Sequence, residues 1–158
     1  MKRSKNRATC LLAALLFLFG LLAAPAASAQ RCRVRAVPTN FGLYFPASPT
    51  SVDVTSRIRV VCRGRPGTYS VELSTGSSGE YGRRTMVNGA ELLFYNLFVD
   101  PARTRVWGDG SGSTSRITIT RRRRGRDRRV FDVYGRIFSN QDVRPGFYND
   151  TISVTVFF

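Results

Sequence analysis

The chain has 158 residues, with 25 basic residues against 10 acidic ones, no histidine and a formal net charge of +15. Without histidine, neither a Ser-His-Asp nor a Cys-His catalytic arrangement can form, and two or three cysteines alone do not complete a zinc shell. We therefore expect no enzyme, no metal and no cofactor. The excess of positive charge predicts attraction to anionic surfaces.

Residues 1–29 have the layout of a secretory signal peptide. A basic start is followed by an apolar run over residues 11–22, and Ala27 and Ala29 supply the small residues of a cleavage site. The apolar run is shorter than the ~20 residues that span a bilayer, so we predict cleavage after Ala29 rather than an uncleaved anchor. The predicted mature chain, residues 30–158, is then one exported domain without a membrane span.

Two cysteines, Cys32 and Cys62, remain after the predicted cleavage, because Cys10 lies in the signal peptide. An exported chain meets an oxidising compartment, in which two cysteines generally pair. A disulfide between them would stabilise the fold by roughly 3–4 kcal/mol in the chain-entropy view. The alternative is a pair of free thiols.

Apolar and polar residues alternate along most of the mature chain, which is the period of half-buried β-strands. Segments rich in Gly, Pro, Asn and Ser separate the runs. Leu92–Val99 is apolar on both parities, so a short helix is an alternative there, but its length and aromatic content favour a strand. The pattern predicts an all-β fold, an antiparallel β-sandwich. The predicted strands lie at Cys32–Val34, Val52–Cys62, Tyr69–Leu73, Leu92–Val99, Ile117–Thr120, Val130–Phe138 and Ile152–Phe158.

The most basic segment is Arg121–Arg129, which falls between two predicted strands and is therefore predicted to be a hairpin loop. Guanidinium groups suit phosphate and sulfate, so one hypothesis is a contact site for anionic polysaccharide or lipopolysaccharide. The alternative is a solvated loop tip without a partner. Nucleic acid is disfavoured as a primary partner, because the arginine segment contains no aromatic residues on which nucleobases could stack. The arginines of this candidate site are Arg121, Arg122, Arg123, Arg124, Arg126, Arg128 and Arg129.

Several sequence blocks occur in an order that is typical of one family. They are Cys32–Val34, Asn40–Tyr44, Val60–Cys62, Tyr69–Gly76, Arg84–Met86, Leu93–Asp100, Val106–Gly110, Val133–Ile137 and Pro145–Val154. In these blocks the chain resembles the spore coat protein U domain family over nearly the whole mature chain. The resemblance implies a secreted immunoglobulin-like β-sandwich with a disulfide between Cys32 and Cys62. It also implies a structural or adhesive subunit in the periplasm or at the cell surface, as in archaic chaperone–usher pili.

The resemblance further implies an incomplete sandwich that lacks its final strand. A periplasmic chaperone and then another pilus subunit would supply that strand during assembly through an usher. An exposed apolar edge needs a cover, and a donor strand provides one through main-chain hydrogen bonds. We therefore predict a donor-strand groove along the last strand, floored by Ile152, Val154, Val156 and Phe158.

One alternative to this interpretation, and one restriction on it, follow from the same sequence. The sandwich could close its edge with its own strands and act as a self-complete secreted module that binds anionic polysaccharide or lipopolysaccharide through the Arg121–Arg129 loop. The predicted mature chain also has only Gln30 and Arg31 before Cys32. Because a strand needs several residues to pair, we expect the chain to accept a donor strand and not to give one.

Overall fold

A computed structural model describes residues 30–158, so the predicted signal peptide, residues 1–29, lies outside the described residues. The described part is built from strands, with a single 3₁₀ turn at Gly76–Ser78. No helix in this part of the chain is long and apolar enough to cross a membrane. The strands are β1 (Arg31–Ala36), β2 (Val52–Gly64), β3 (Gly67–Leu73), β4 (Arg84–Asn88), β5 (Glu91–Phe98), β6 (Ile117–Arg121), β7 (Gly125–Ile137) and β8 (Val154–Phe157).

The strands form two antiparallel sheets that enclose one core. The larger sheet has the order β1-β2-β7-β5-β4, and the smaller has the order β6-β3-β8. Two packed antiparallel sheets with alternating inward and outward side chains are the architecture of an immunoglobulin-like sandwich. The predicted all-β, immunoglobulin-like fold is therefore confirmed.

The core lies between the inward faces of the two sheets, as the alternation predicted. Ile58 and Val60 of β2 and Val71 of β3 are at most 3% exposed. Trp107, from the connection between β5 and β6, is completely buried and donates its indole N–H to the carbonyl of Val71 at 3.0 Å. Its large ring therefore joins the loop to the middle of the smaller sheet without leaving a buried donor unpaired.

The predicted disulfide is present, and it joins the first two strands. Cys32 of β1 and Cys62 of β2 face each other in the register of the antiparallel pair and are bonded. Cys62 is 1% exposed and belongs to the core. The bond therefore fixes β1 on the sheet at the edge where it has a single neighbour.

The hairpin between β6 and β7 is shorter than predicted. The strands end at Arg121 and begin again at Gly125, so only residues 122–124 connect them, and the prediction of a loop over Arg121–Arg129 is wrong in its extent. β7 continues because it pairs with β2 as far as Gly64↔Gly125. Main-chain ladder hydrogen bonds do not depend on side-chain polarity, and outward arginines on a sheet keep their hydration.

Candidate functional site

An apolar groove opens at one seam between the two sheets. β1 is an edge of the larger sheet and β8 is an edge of the smaller one, and within residues 30–158 each pairs with a single strand. The groove has a volume of about 290 Å³ and lies between the segment that follows β1 and the segment that leads into β8. Only Ala36 of β1 and Val154 of β8 reach the groove, so it adjoins one end of each of these two edge strands.

Core side chains from both sheets form the floor of this groove. They come from β2, β3, β4, β5 and β7, and each is at most 8% exposed. The groove therefore reaches the hydrophobic core directly, so an occupant would contact the interior of the sandwich. The floor residues are Ile58, Leu73, Met86, Tyr95, Leu97 and Val133.

Two of the four predicted groove residues line the groove. Ile152 and Val154 contribute to its wall, and both are half-buried. Val156 packs against the core, but away from the groove. Phe158 is 63% exposed and borders a different depression, among arginines, so its predicted inward orientation is wrong. The reason is local: β8 ends at Phe157, and the alternation of the strand ends with it.

The opposite wall was missed at the sequence level. Val37, Pro38 and Phe41 line the groove from an extended segment after β1 that belongs to no strand, so no alternation marks it. Val37 donates its N–H to the Arg57 carbonyl at 2.9 Å, which ties the segment to β2. The Val37 side chain is nevertheless 59% exposed, so this wall is open to an incoming partner.

A polar cluster holds the wall that carries Ile152. The hydroxyl of Tyr95 donates to one Asp150 carboxylate oxygen at 2.7 Å, and the backbone N–H of Ser77 donates to the other at 2.9 Å. Burial, helped by the hydrogen bond to Asp150, raises the pKa of Tyr95 above its ordinary value, so the hydroxyl stays a donor. Gly76 (φ +70°) is required here, since a Cβ at this position would overlap the Asp150 carboxylate.

Arg121, the first residue of the predicted polyanion site, is buried. It is 5% exposed, and one of its Nη atoms donates to the carbonyls of Gly125 at 2.7 Å and Gly64 at 3.3 Å. A ligand on the surface has no access to a guanidinium in that position. The side chain closes the base of the β6–β7 hairpin instead.

The other predicted arginines do not form one site. Residues 122–124 are exposed in the hairpin connection. Arg129 donates to the Asp127 carboxylate at 3.1 Å, on the same side of β7 as the core residues. Arg126 and Arg128 lie on the outward side of β7. The alternation of β7 therefore places the arginines of this segment on two different faces of the sheet. The positive charge of the sequence does not reveal that division.

The groove offers apolar contact and strand edges, not reactive groups. Within the described residues, no three His, Cys, Asp or Glu side chains are grouped so that they could hold a metal ion. An apolar floor beside the edge of a sheet is the kind of surface that extended peptide segments recognise in proteins.

The sequence model of the Spore Coat Protein U domain matches residues 18–155. The chain belongs to the Spore Coat Protein U domain family. The resemblance seen in the sequence is thereby confirmed, over most of the chain. No curated protein matches the chain.

A solved structure with the same fold comes from an archaic pilus system. It is the CsuC–CsuE chaperone–tip adhesion subunit pre-assembly complex from archaic chaperone–usher Csu pili of Acinetobacter baumannii. The match has a TM-score of 0.57 and 24% sequence identity, and it covers 82% of this chain and 40% of the matched chain. At that identity the likeness establishes the fold alone, and the chain spans less than half of the length of the protein that it matches.

Proposed function

We propose that this protein is an exported structural subunit of a pilus-type assembly and that its groove accepts a β-strand from another polypeptide. The observation that carries the proposal is the apolar groove between the segment that follows β1 and the segment that leads into β8, with core residues at its floor. A strand added there would bury the floor and satisfy the edge of β8 at the same time.

The dimensions of the groove support an extended occupant. Side chains on one face of a strand repeat every ~6.8 Å, so a donor would place a row of apolar side chains along the seam. The groove, at about 290 Å³, is small for a compact organic ligand. Ile152 and Val154 would form one side of the channel and Val37 and Phe41 the other.

Membership of the family supports the choice of partners. In the periplasm a chaperone would supply the strand first, and another pilus subunit would replace it after an usher accepts the complex. The protein then acts in the periplasm or at the cell surface as a structural or adhesive subunit rather than as an enzyme. The pilus complex that shares the fold joins a chaperone to a tip adhesion subunit, which is consistent with this role.

A peptide complementation experiment tests the proposal. The protein, purified from the periplasm after export, is melted with and without a synthetic peptide of alternating apolar and polar residues. At 100 times its Kd, a ligand of the folded state adds about 2.7 kcal/mol of stability, so we expect the Tm to rise by several degrees. A peptide of the same composition, with its apolar residues grouped, should have little effect.

Two variants at neighbouring positions locate the effect. Ile152→Gln changes a groove wall and should abolish the rise in Tm, whereas Thr151→Gln changes an exposed residue outside the groove and should preserve it. If both variants keep the full rise, or both lose it, the peptide does not bind in the groove and the proposal fails.

The second candidate is a self-complete secreted domain that binds anionic polysaccharide or lipopolysaccharide. The observation that favours it is the large number of exposed arginines without an acidic partner among residues 30–158. A protein that melts cooperatively at high temperature and ignores every strand peptide would support this candidate over strand acceptance.

A further inference from the structure

The outer surface of the larger sheet carries a regular array of arginines. β1 contributes Arg31, Arg33 and Arg35, β2 contributes Arg59 and Arg63, and β7 contributes Arg126 and Arg128; we call these seven residues the arginine face. Strand register brings them together, because Arg31 faces Arg63, which in turn faces Arg126, and Arg35 faces Arg59. Residues far apart in sequence thus form one cationic surface.

No acidic side chain within the described residues neutralises this face. All seven arginines are exposed, and none of them takes part in an ion pair with residues 30–158. In contrast, Arg57, further along the same side of β2, lies 3.2 Å from the Asp132 carboxylate. Asp127 interrupts the basic run of β7, but it lies on the other side of the strand and accepts a hydrogen bond from Tyr69.

Such an array costs stability in the free protein. Like charges directly opposite each other on neighbouring strands repel, and Arg31, Arg63 and Arg126 form a row of three. Neighbouring positions are about 4.8 Å apart across the strands and about 6.7 Å apart along them. An anionic ligand with repeated charges would relieve this repulsion at several positions at once.

The shape of the surface limits the class of ligand. The arginine side chains surround a depression of about 750 Å³, which Phe158 borders. A chain fits into such a depression, whereas a planar bilayer would touch only its rim. Binding of single-stranded nucleic acid relies on a series of aromatic side chains that stack successive bases, and here one ring lies at the border.

We propose that the arginine face binds a linear acidic polysaccharide through its carboxylate or sulfate groups. Guanidinium groups form bidentate, charge-assisted hydrogen bonds with such planar or tetrahedral anions. The face lies on the outward side of the sheet, away from the core that floors the groove. Polysaccharide binding is therefore independent of strand acceptance, and the predicted loop site is replaced by a sheet surface.

Three triple variants, each with the same loss of positive charge, separate the effect of arginine position on polysaccharide binding from the effect of net charge. The first, Arg33→Ser, Arg35→Ser and Arg128→Ser, changes the arginine face. The second, Arg122→Ser, Arg123→Ser and Arg124→Ser, changes the hairpin connection. The third changes exposed arginines elsewhere, Arg105→Ser, Arg116→Ser and Arg144→Ser.

Binding of each variant to heparin and to polygalacturonate is measured at physiological salt, and Tm verifies folding. We expect the first variant to bind roughly tenfold more weakly or worse, since it loses three charge-assisted contacts, and the other two to stay within about threefold of the unchanged protein. An equal loss in all three variants would show a net-charge effect, and a larger loss in the second would return the site to the loop. Either result overturns the proposal.

Double-stranded DNA and vesicles of anionic phospholipid serve as competitors at matched charge concentration. We expect both to displace the protein from polygalacturonate less effectively than free polygalacturonate does. If DNA or vesicles compete as well, and the face variant loses their binding too, the partner is a nucleic acid or a membrane and the assignment to polysaccharide is wrong.

Discussion

At the scale of single residues, Arg84 is the most unusual side chain of the core. It is completely buried, and within the described residues it has no carboxylate partner at ion-pair distance. Its guanidinium donates instead to the carbonyls of Ser74 and Trp107 and to the side-chain oxygen of Asn96, each at 2.7 Å. Burial lowers the pKa of Arg84, but an arginine remains charged at neutral pH. One planar fork thus links the segment directly after β3, strand β5 and the loop that carries Trp107.

Arg84→Lys tests whether the shape of the fork matters more than its charge. A lysine ammonium keeps the charge, but it cannot reach three acceptors arranged for a planar group, and each buried acceptor left without a donor costs about 1–3 kcal/mol. We expect the free energy of unfolding, measured in urea, to fall by about 2–3 kcal/mol. Arg83→Lys is the control, because Arg83 is exposed and stacks on Phe94, and it should cost less than about 0.5 kcal/mol. Equal effects of the two changes would contradict this explanation.

At the scale of strands, β2 and β7 are joined by a charged cluster as well as by their ladder. Asp53 accepts two hydrogen bonds from Arg136, at 2.7 and 2.8 Å, and Arg103 lies 3.3 Å from the same carboxylate. The hydrogen bond from Arg136 holds the pKa of Asp53 below its ordinary value of 3.8. Because the cluster forms only in the folded sandwich, it makes stability depend on acid pH.

The sign of that dependence follows from the lowered pKa. A carboxyl whose folded pKa lies below its unfolded value contributes stability above about pH 3.8, and the contribution is lost as pH falls through the folded pKa. Asp53→Asn should therefore lower Tm at pH 7, with a loss of about 1 kcal/mol or less for a partly exposed group, and converge with the unchanged protein near pH 2. Asp132→Asn, which breaks the more exposed pair with Arg57, should cost less at pH 7. A gap between Asp53→Asn and the unchanged protein that stays constant down to pH 2 would contradict the role of the Asp53 charge.

Strands could be predicted from the sequence where one face is wet and the other dry. β2 follows this rule most clearly at Ile58, Val60 and Cys62, which are buried between outward residues. In β3 the residues predicted to be inward are buried, but Ser70 and Glu72 on the other face are buried as well. β4 does not follow the rule, since Arg84, Thr85 and Met86 are all buried, and this hides the period of two. The strand was missed because a buried guanidinium looks polar in the sequence but is satisfied by carbonyls that only the fold brings near.

Sites that depend on which strands are neighbours could be predicted only in part. Alternation marked Ile152 and Val154 as inward, but Val37 and Phe41 carry no such signal. The arginine face is a case of the same kind, because the pairing of β1 with β2 and of β2 with β7 creates it. Sequence charge pointed to the right segment of β7, and the register selected Arg126 and Arg128 from it.

At the scale of the whole molecule, the distribution of charge dominates. Residues 30–158 contain 21 of the 25 basic residues, all of them arginine, and all 10 acidic residues. A large net charge keeps a protein soluble but destabilises its compact state through self-repulsion. The repulsion is concentrated on the arginine face, where the described residues provide no acidic partner.

Salt should consequently have opposite effects on folding and on polyanion binding. Raising NaCl from about 0.01 M to about 0.15 M shortens the Debye length from about 30 Å to about 8 Å. We expect Tm to rise by a few degrees as repulsion within the arginine face is screened, while affinity for polygalacturonate falls over the same range. The Arg33, Arg35 and Arg128 triple variant should show a smaller rise in Tm and a weaker salt dependence of binding, because three of the seven charges of the arginine face have been removed. A Tm that is flat or falls with salt in the unchanged protein would mean that ion pairs such as Arg136–Asp53 outweigh the repulsion, and the uncompensated face would then not be the main electrostatic feature of the fold.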